Sequence, residues 1–198
     1  MTNSSSPNAS DLKTKQEWRA WAKLERKRAC DPEDLSHAAR LVEALPALLD
    51  PESVVAAYWP IGSEPDLRPA YQKLYEQGFM IALPVVVERN APLAFRQWTP
   101  TCEMITDLCG IPCPPESMAL LTPTHMLIPG LCFSRGGGRL GSGQGYYDRT
   151  IATLHDQGGH PILIGVGFEA LIVEHLPTED HDVAMNHLLT QSCLYPDL

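Results

Sequence analysis

Four stretches of the chain are apolar almost throughout: residues 53–58 (SVVAAY), 79–87 (FMIALPVVV), 126–131 (MLIPGL) and 161–168 (PILIGVGF). Short runs of this kind, rich in Val and Ile, predict strands buried on both faces. Residues 95–98 predict a further short strand. Elsewhere the period changes to that of a helix. Over residues 11–28, Trp18, Trp21 and Ala22 mark an apolar face that continues to Ala29. Lys15, Arg19 and Lys23 recur at i, i+4 and i+8 on another face, and Asp11 is the expected N-cap. Amphipathic helices are likewise predicted over 33–49, 67–77 and 147–157, with Gly78 at the C′ position of the third. Residues 99–123 are Pro-rich and read as irregular. Strands alternating with helices predict an α/β domain whose mostly parallel sheet is covered on both faces.

The length, 198 residues, fits a single domain. Its net charge is −9. An acidic chain argues against general binding to nucleic acid, which needs clustered cations, and no apolar run is long enough for a membrane helix. The opening MTNSSSPNAS has no basic and apolar signal pattern, so residues 1–10 read as a disordered polar tail and the protein as cytoplasmic. There are six cysteines but no CxxC pair, which argues against a zinc site and for reduced thiols. The charge is distributed unevenly. Basic residues cluster from Lys13 to Arg28, and no Lys or Arg follows Arg149, whereas Glu179, Asp180 and Asp182 do. One end is suited to anions and the other to a cation.

The densest chemical signal is residues 129–149, PGLCFSRGGGRLGSGQGYYDR, read as one glycine-rich loop between a strand and a helix. Exposed backbone N–H groups, a helix N-terminus and nearby arginines make an anion site, above all for phosphate. The spacing matches neither GxxxxGK[ST] nor GxGxxG. Glycine clusters are also common in plain surface loops.

RLGSGQGYYDR resembles the signature of the 5-formyltetrahydrofolate cyclo-ligase family. PGLCF, YWPIGSEPDLRPAYQKLYEQGFMIALPV and LPTEDHDV are similar to further family elements, so the likeness runs over roughly residues 13–191. It implies one three-layer α/β/α domain, covering residues 11–198. It also implies ATP- and Mg²⁺-dependent closure of 5-formyltetrahydrofolate to 5,10-methenyltetrahydrofolate, with release of ADP and phosphate. Carried over by position, Lys15, Arg19, Arg139, Leu140, Gly141, Ser142, Gly143, Gln144, Gly145, Tyr146 and Tyr147 would hold the nucleotide. Trp59, Glu64, Gly143 and Tyr146 would contact the folate, Arg139 and Tyr146 would serve catalysis, and Asp148 and Asp182 would hold Mg²⁺. The expected partners are these small molecules, with no nucleic acid or membrane, and the expected state is a monomer.

By residue type alone, Lys15 and Arg19 suit a solvated helix face, Trp59 core packing, Asp148 a helix start and Asp182 a turn. Two departures from the family pattern stand out. Ser134 replaces an acidic residue after PGxxF, and His125 stands near another acidic position. They motivate an alternative, a relative that binds folate or nucleotide without turnover. A further alternative is a phosphosugar or thioester enzyme on the same scaffold. His125 and His181 receive no role.

Overall fold

The computed structural model describes residues 12–177, 179 and 182–195. The tail expected over residues 1–10 and the Asp11 cap lie outside the described residues. The first helix, α1 (Lys15–Ala29), is capped instead by Thr14. The Glu17 backbone N–H donates to Thr14 Oγ1 at 3.2 Å, and the Thr14 N–H donates to Glu17 Oε2 at 2.9 Å. This reciprocal box satisfies two donors left over by the first helical turn. The second helix, α2 (Ser36–Ala44), is shorter than expected. Pro46 lacks an N–H and disfavours α geometry before it, so the chain tightens into a 3₁₀ turn over Leu45–Leu48.

Then follow β1 (Val54–Ala56), α3 (Arg68–Glu76), β2 (Met80–Val85) and β3 (Ala94–Trp98). The segment expected to be irregular contains a small hairpin of β4 (Ile105–Thr106) and β5 (Pro112–Cys113). After it come β6 (His125–Pro129), β7 (Cys132–Ser134), β8 (Arg139–Leu140), α4 (Tyr146–Asp156), β9 (Ile162–Val166), β10 (Ile172–Val173), β11 (His187–Leu189) and β12 (Leu194–Tyr195). The main sheet has the order β12-β11-β9-β6-β1-β2-β3. Its five inner strands are parallel, and only the edge strands β3 and β12 run antiparallel.

Side-chain alternation builds the layers. Val55, Ala57, Ile81, Leu83, Leu127 and Ile164 face α2 and α3, where Leu41, Tyr71 and Leu74 are buried. Val54, Ala56, Ala82, Met126, Ile128 and Leu163 face α4 through Ile151 and Leu154. The expected three-layer α/β/α domain with a mostly parallel sheet is the one observed. Trp18 and Ala22 attach α1 to Leu131, Leu140, Phe168 and Leu171 in a separate, smaller cluster. This cluster includes part of the three-stranded sheet β10-β7-β8.

Two buried histidines hold packing contacts. His37 Nε2 donates to the Gly167 carbonyl at 3.0 Å, and His125 Nε2 to the Leu48 carbonyl at 3.0 Å. Burial lowers the pKa of each below the ordinary 6.5. A histidine depressed on folding contributes stability above its unfolded pKa and loses it as the pH falls towards the folded one. The melting temperature should therefore drop as the pH falls below 6.5, and less steeply in His37→Gln, whose amide can still donate to Gly167. Equal slopes for the two proteins, followed by thermal shift from pH 7.5 to 5, would rule out this contribution.

Candidate active site

From β1 the chain crosses through α3 to β2, and from β6 through α4 to β9 on the other side. The adjacent strands β1 and β6 thus flank a topological switch point. In open α/β sheets the crevice at the carboxyl ends of such strands is where ligands bind. Here it forms a cavity of about 360 Å³. Tyr58, Trp59 and Glu64 enter from the β1 side, and Pro129, Gly130 and Leu131 from the β6 side. Lys15, Arg19, Lys23 and Arg26 line it from α1. Residues 139–148 also line it.

The glycine-rich segment does not form one loop. Ser134 closes a β7–β8 hairpin: its N–H donates to the Gly138 carbonyl at 2.8 Å, and the Gly138 N–H donates to Ser134 Oγ at 2.9 Å. Gly136, Gly137 and Gly138 are spent on this turn, and Arg135 pairs with Glu174 on the surface at 3.0 Å. After the hairpin, residues 139–148 continue into the cavity wall. Gly143 and Gly145 have φ of 98° and 69°, in the region that favours glycine. Gly145 caps α4, so the helix begins at Tyr146 and its first turn borders the cavity. The loop is braced from both sides. Arg19 Nε donates to the Gly141 carbonyl at 3.2 Å, and Arg149 Nη2 to the Gln144 carbonyl at 2.8 Å. A Cβ at Gly145 would come within 2.7 Å of Arg149 Nη1. Gly145→Ala is expected to combine backbone strain with loss of this brace, lowering stability by about 1–3 kcal/mol in urea unfolding. An unchanged stability would show that the loop geometry is dispensable.

Three of the cavity's basic side chains pair with acids. The Arg139 side chain is only 8% exposed. It contacts the Asp148 carboxylate, reaches the Pro129 carbonyl at 3.5 Å and stands 5.8 Å from the Tyr147 ring centre. Lys15 Nζ lies 2.9 Å from Asp182 Oδ2 and 3.0 Å from Glu179 Oε2. Burial pulls the Lys15 pKa down, but these carboxylates outweigh it and hold the ammonium above its ordinary 10.5. Arg26 donates from Nε to Ser63 Oγ at 3.1 Å and lies 3.6 Å from Glu64 Oε1. Burial raises the Glu64 pKa, while the Ile61 N–H and Arg26 oppose it.

Every residue singled out for nucleotide, folate or metal binding therefore lies on one cavity wall, although the sequence separates Lys15 from Asp182 by 167 positions. The Leu140 side chain is buried beside Trp18, so only its backbone is left to meet a ligand. Trp59 packs partly on the core, with the Arg68 guanidinium 5.1 Å from its ring centre. Lys23, Arg26, Asp107 and Cys109 were not singled out. For Lys23 and Arg26 the signal was there, since they continue the helical face of Lys15 and Arg19. Asp107 and Cys109 lie in the Pro-rich segment, where no period marks a face. Ser134 is not among the residues lining the cavity, and its side chain closes the hairpin. His125 starts β6, at the end of the strand away from the cavity. His181 lies outside the described residues.

The model of the 5-formyltetrahydrofolate cyclo-ligase family matches residues 11–191. The chain belongs to this family. It is therefore an enzyme, a ligase of folate one-carbon chemistry. A 5-formyltetrahydrofolate cyclo-ligase of Mycolicibacterium smegmatis is 34% identical over 143 residues, 69% of this chain and 72% of its own. One from Escherichia coli is 27% identical, covering 85% of this chain and 96% of its own. The solution structure of Aquifex aeolicus 5,10-methenyltetrahydrofolate synthetase superposes with a TM-score of 0.75 at 26% identity, covering 92% of each chain. A synthetase from Mycoplasma pneumoniae, at 21% identity and a TM-score of 0.66, shares the fold.

Among the described residues no three His, Cys, Asp or Glu side chains are grouped closely enough to hold a metal ion. Mg²⁺ needs no such cage. It is commonly held by one or two carboxylates, with phosphate oxygens and waters completing its octahedron. Asp148 and Asp182 are hard oxygen donors lining the same cavity as the glycine loop 141–145, so the donor chemistry fits. No helix among the described residues is long and apolar enough to cross a membrane.

Proposed function

We propose that the chain closes 5-formyltetrahydrofolate to 5,10-methenyltetrahydrofolate at the expense of ATP. One observation carries this reading: a single cavity brings the glycine loop 141–145, Arg19 and Arg139 together with an aromatic and carboxylate pair, Trp59 and Glu64. A triphosphate suits the first group. Glu64 can accept hydrogen bonds from pterin N–H groups, and Trp59 offers an aromatic face.

The chemistry requires the two ligands to meet. The N5-formyl oxygen attacks the γ-phosphorus, the bond to the β-phosphate oxygen breaks, and ADP leaves. N10 then attacks the activated formyl carbon. The carbon–oxygen bond breaks, phosphate departs, and N10 gives up its proton to water. Positioning and charge neutralisation dominate such a transfer. The N–H groups of residues 141–145 and the guanidiniums of Arg19 and Arg139 would hold phosphate oxygens. Arg139 has five N–H donors, and its contacts to Asp148 and Pro129 leave donors for a ligand. Lys15 would bring a further positive charge from α1. Tyr146, on the same wall, would border the reacting centre. Mg²⁺, when bound with the nucleotide by Asp148 and Asp182, would supply neutralisation of phosphate charge.

The binding-only alternative rested on Ser134 and His125. Neither lines the cavity: Ser134 closes a hairpin and His125 donates to the Leu48 carbonyl. Purified protein should release one ADP per folate consumed, and none without folate. ADP release that ignores 5-formyltetrahydrofolate would count against the proposal.

A further inference from the structure

On the cavity wall, Asp107 and Cys109 line the site together with Ile111 and Val86. The main chain turns sharply at this point. The Asp107 N–H donates to the Ile111 carbonyl at 2.9 Å, and Gly110 adopts a φ of 76°. The Asp107 carboxylate holds the turn from inside. Its Oδ1 accepts from the Cys109 N–H at 2.8 Å and from the Ile111 N–H at 3.0 Å. Its Oδ2 accepts from the Val86 N–H at 3.1 Å, just past the end of β2. One carboxylate thus shapes the turn and ties it to the main sheet. Hydrogen bonds to an ionised acceptor are the stronger kind. Across the cavity wall, Cys109 Sγ lies 3.7 Å from the Tyr146 hydroxyl, on the first turn of α4.

We propose that Asp107 is a positioning residue for substrate: it fixes the 107–111 turn as a wall of the ligand cavity and sets Cys109 against Tyr146. The inference rests on the proposed folate reaction at this cavity. The wall meets the ligand in the ground state and the transition state alike, so loosening it removes binding common to both and raises KM more than it lowers kcat.

Asp107→Asn separates the two functions of the carboxylate. Asparagine keeps one carbonyl oxygen for Cys109 and Ile111, but turns an NH₂ towards the Val86 N–H. The tether to β2 is lost while the turn remains. Asp107→Ala loses both. With the full chain, 5-formyltetrahydrofolate and saturating MgATP, the expected KM for folate rises about fivefold in Asp107→Asn and about tenfold or more in Asp107→Ala, with kcat held within about twofold. The second readout is alkylation of Cys109 by iodoacetamide, mapped by peptide mass spectrometry. Folate should slow it in the wild type, and this protection should weaken in Asp107→Asn at folate concentrations saturating for the wild type. Unchanged KM and unchanged protection in a folded Asp107→Asn would overturn the proposal. So would a variant whose melting temperature falls while both readouts stay the same, since that marks a purely structural bond. A wild-type protein that makes no methenyl product would count against the folate reading itself, a separate failure from a null result in the variant.

Discussion

Arg139→Ala should lower kcat for methenyl formation by about 10²–10³, the loss typical when a preorganised donor to developing charge is removed. Arg139 is mostly buried behind the loop and joins three parts of the site: the Pro129 carbonyl at the end of β6, Asp148 in the first turn of α4, and the close approach to Gly141. A Cβ at Gly141 would fall 2.9 Å from Arg139 Nη1, so the guanidinium lies directly against the loop backbone. Its removal takes away a positive charge and leaves Asp148 without that partner. Arg139→Lys restores the charge but not the planar fork, and should recover only part of the rate. The measurement is steady-state turnover with both substrates varied. An Arg139→Ala protein within threefold of wild-type kcat would remove this residue from the mechanism.

The second large effect concerns stability. Phe133 is fully buried on β7 and sits in a slot made by glycines. A Cβ at Gly165 would approach its ring to 2.5 Å, and one at Gly130 also to 2.5 Å. Large side chain and absent side chains fit one another, so neither can change alone. Phe133→Ala should cost about 3–5 kcal/mol, from lost burial and the cavity left behind. That is a large share of the roughly 5–15 kcal/mol a folded domain possesses. Gly165→Ala should also destabilise, by overpacking, at about 1–3 kcal/mol. Urea unfolding followed by circular dichroism would give both values. A Phe133→Ala loss under 1 kcal/mol would mean that the slot collapses freely and that the glycines are not matched to the ring.

The same residues show what could be read from sequence. The apolar runs ending at Tyr58, Val87, Leu131 and Phe168 marked four of the parallel strands, because both faces of each are covered. The short strands β10, β11 and β12 escaped, since two or three residues cannot display a period. The glycine cluster reads as one loop, but composition cannot divide a hairpin turn at 136–138 from a cavity-lining loop at 141–145. That division depends on Ser134 bonding Gly138, a contact with no sequence signature of its own. The pairings of Lys15 with Asp182 and of Arg26 with Glu64 are tertiary. Only the resemblance to the family placed Lys15, Trp59, Glu64 and Asp182 in one site before the fold did. Asp107 shows the reverse case: no motif marks it, and its proposed role rests on two local N–H groups and on that of Val86, which the fold brings to it.

The most direct test of the central claim is an absorbance assay of the purified protein with 5-formyltetrahydrofolate, ATP and Mg²⁺, following the near-ultraviolet band of the methenyl product. The account expects the band to grow with the complete mixture, to stay flat without ATP, and to fall sharply for Asp148→Ala. Folded wild-type protein that binds the folate but yields no band with ATP and Mg²⁺ present would contradict it.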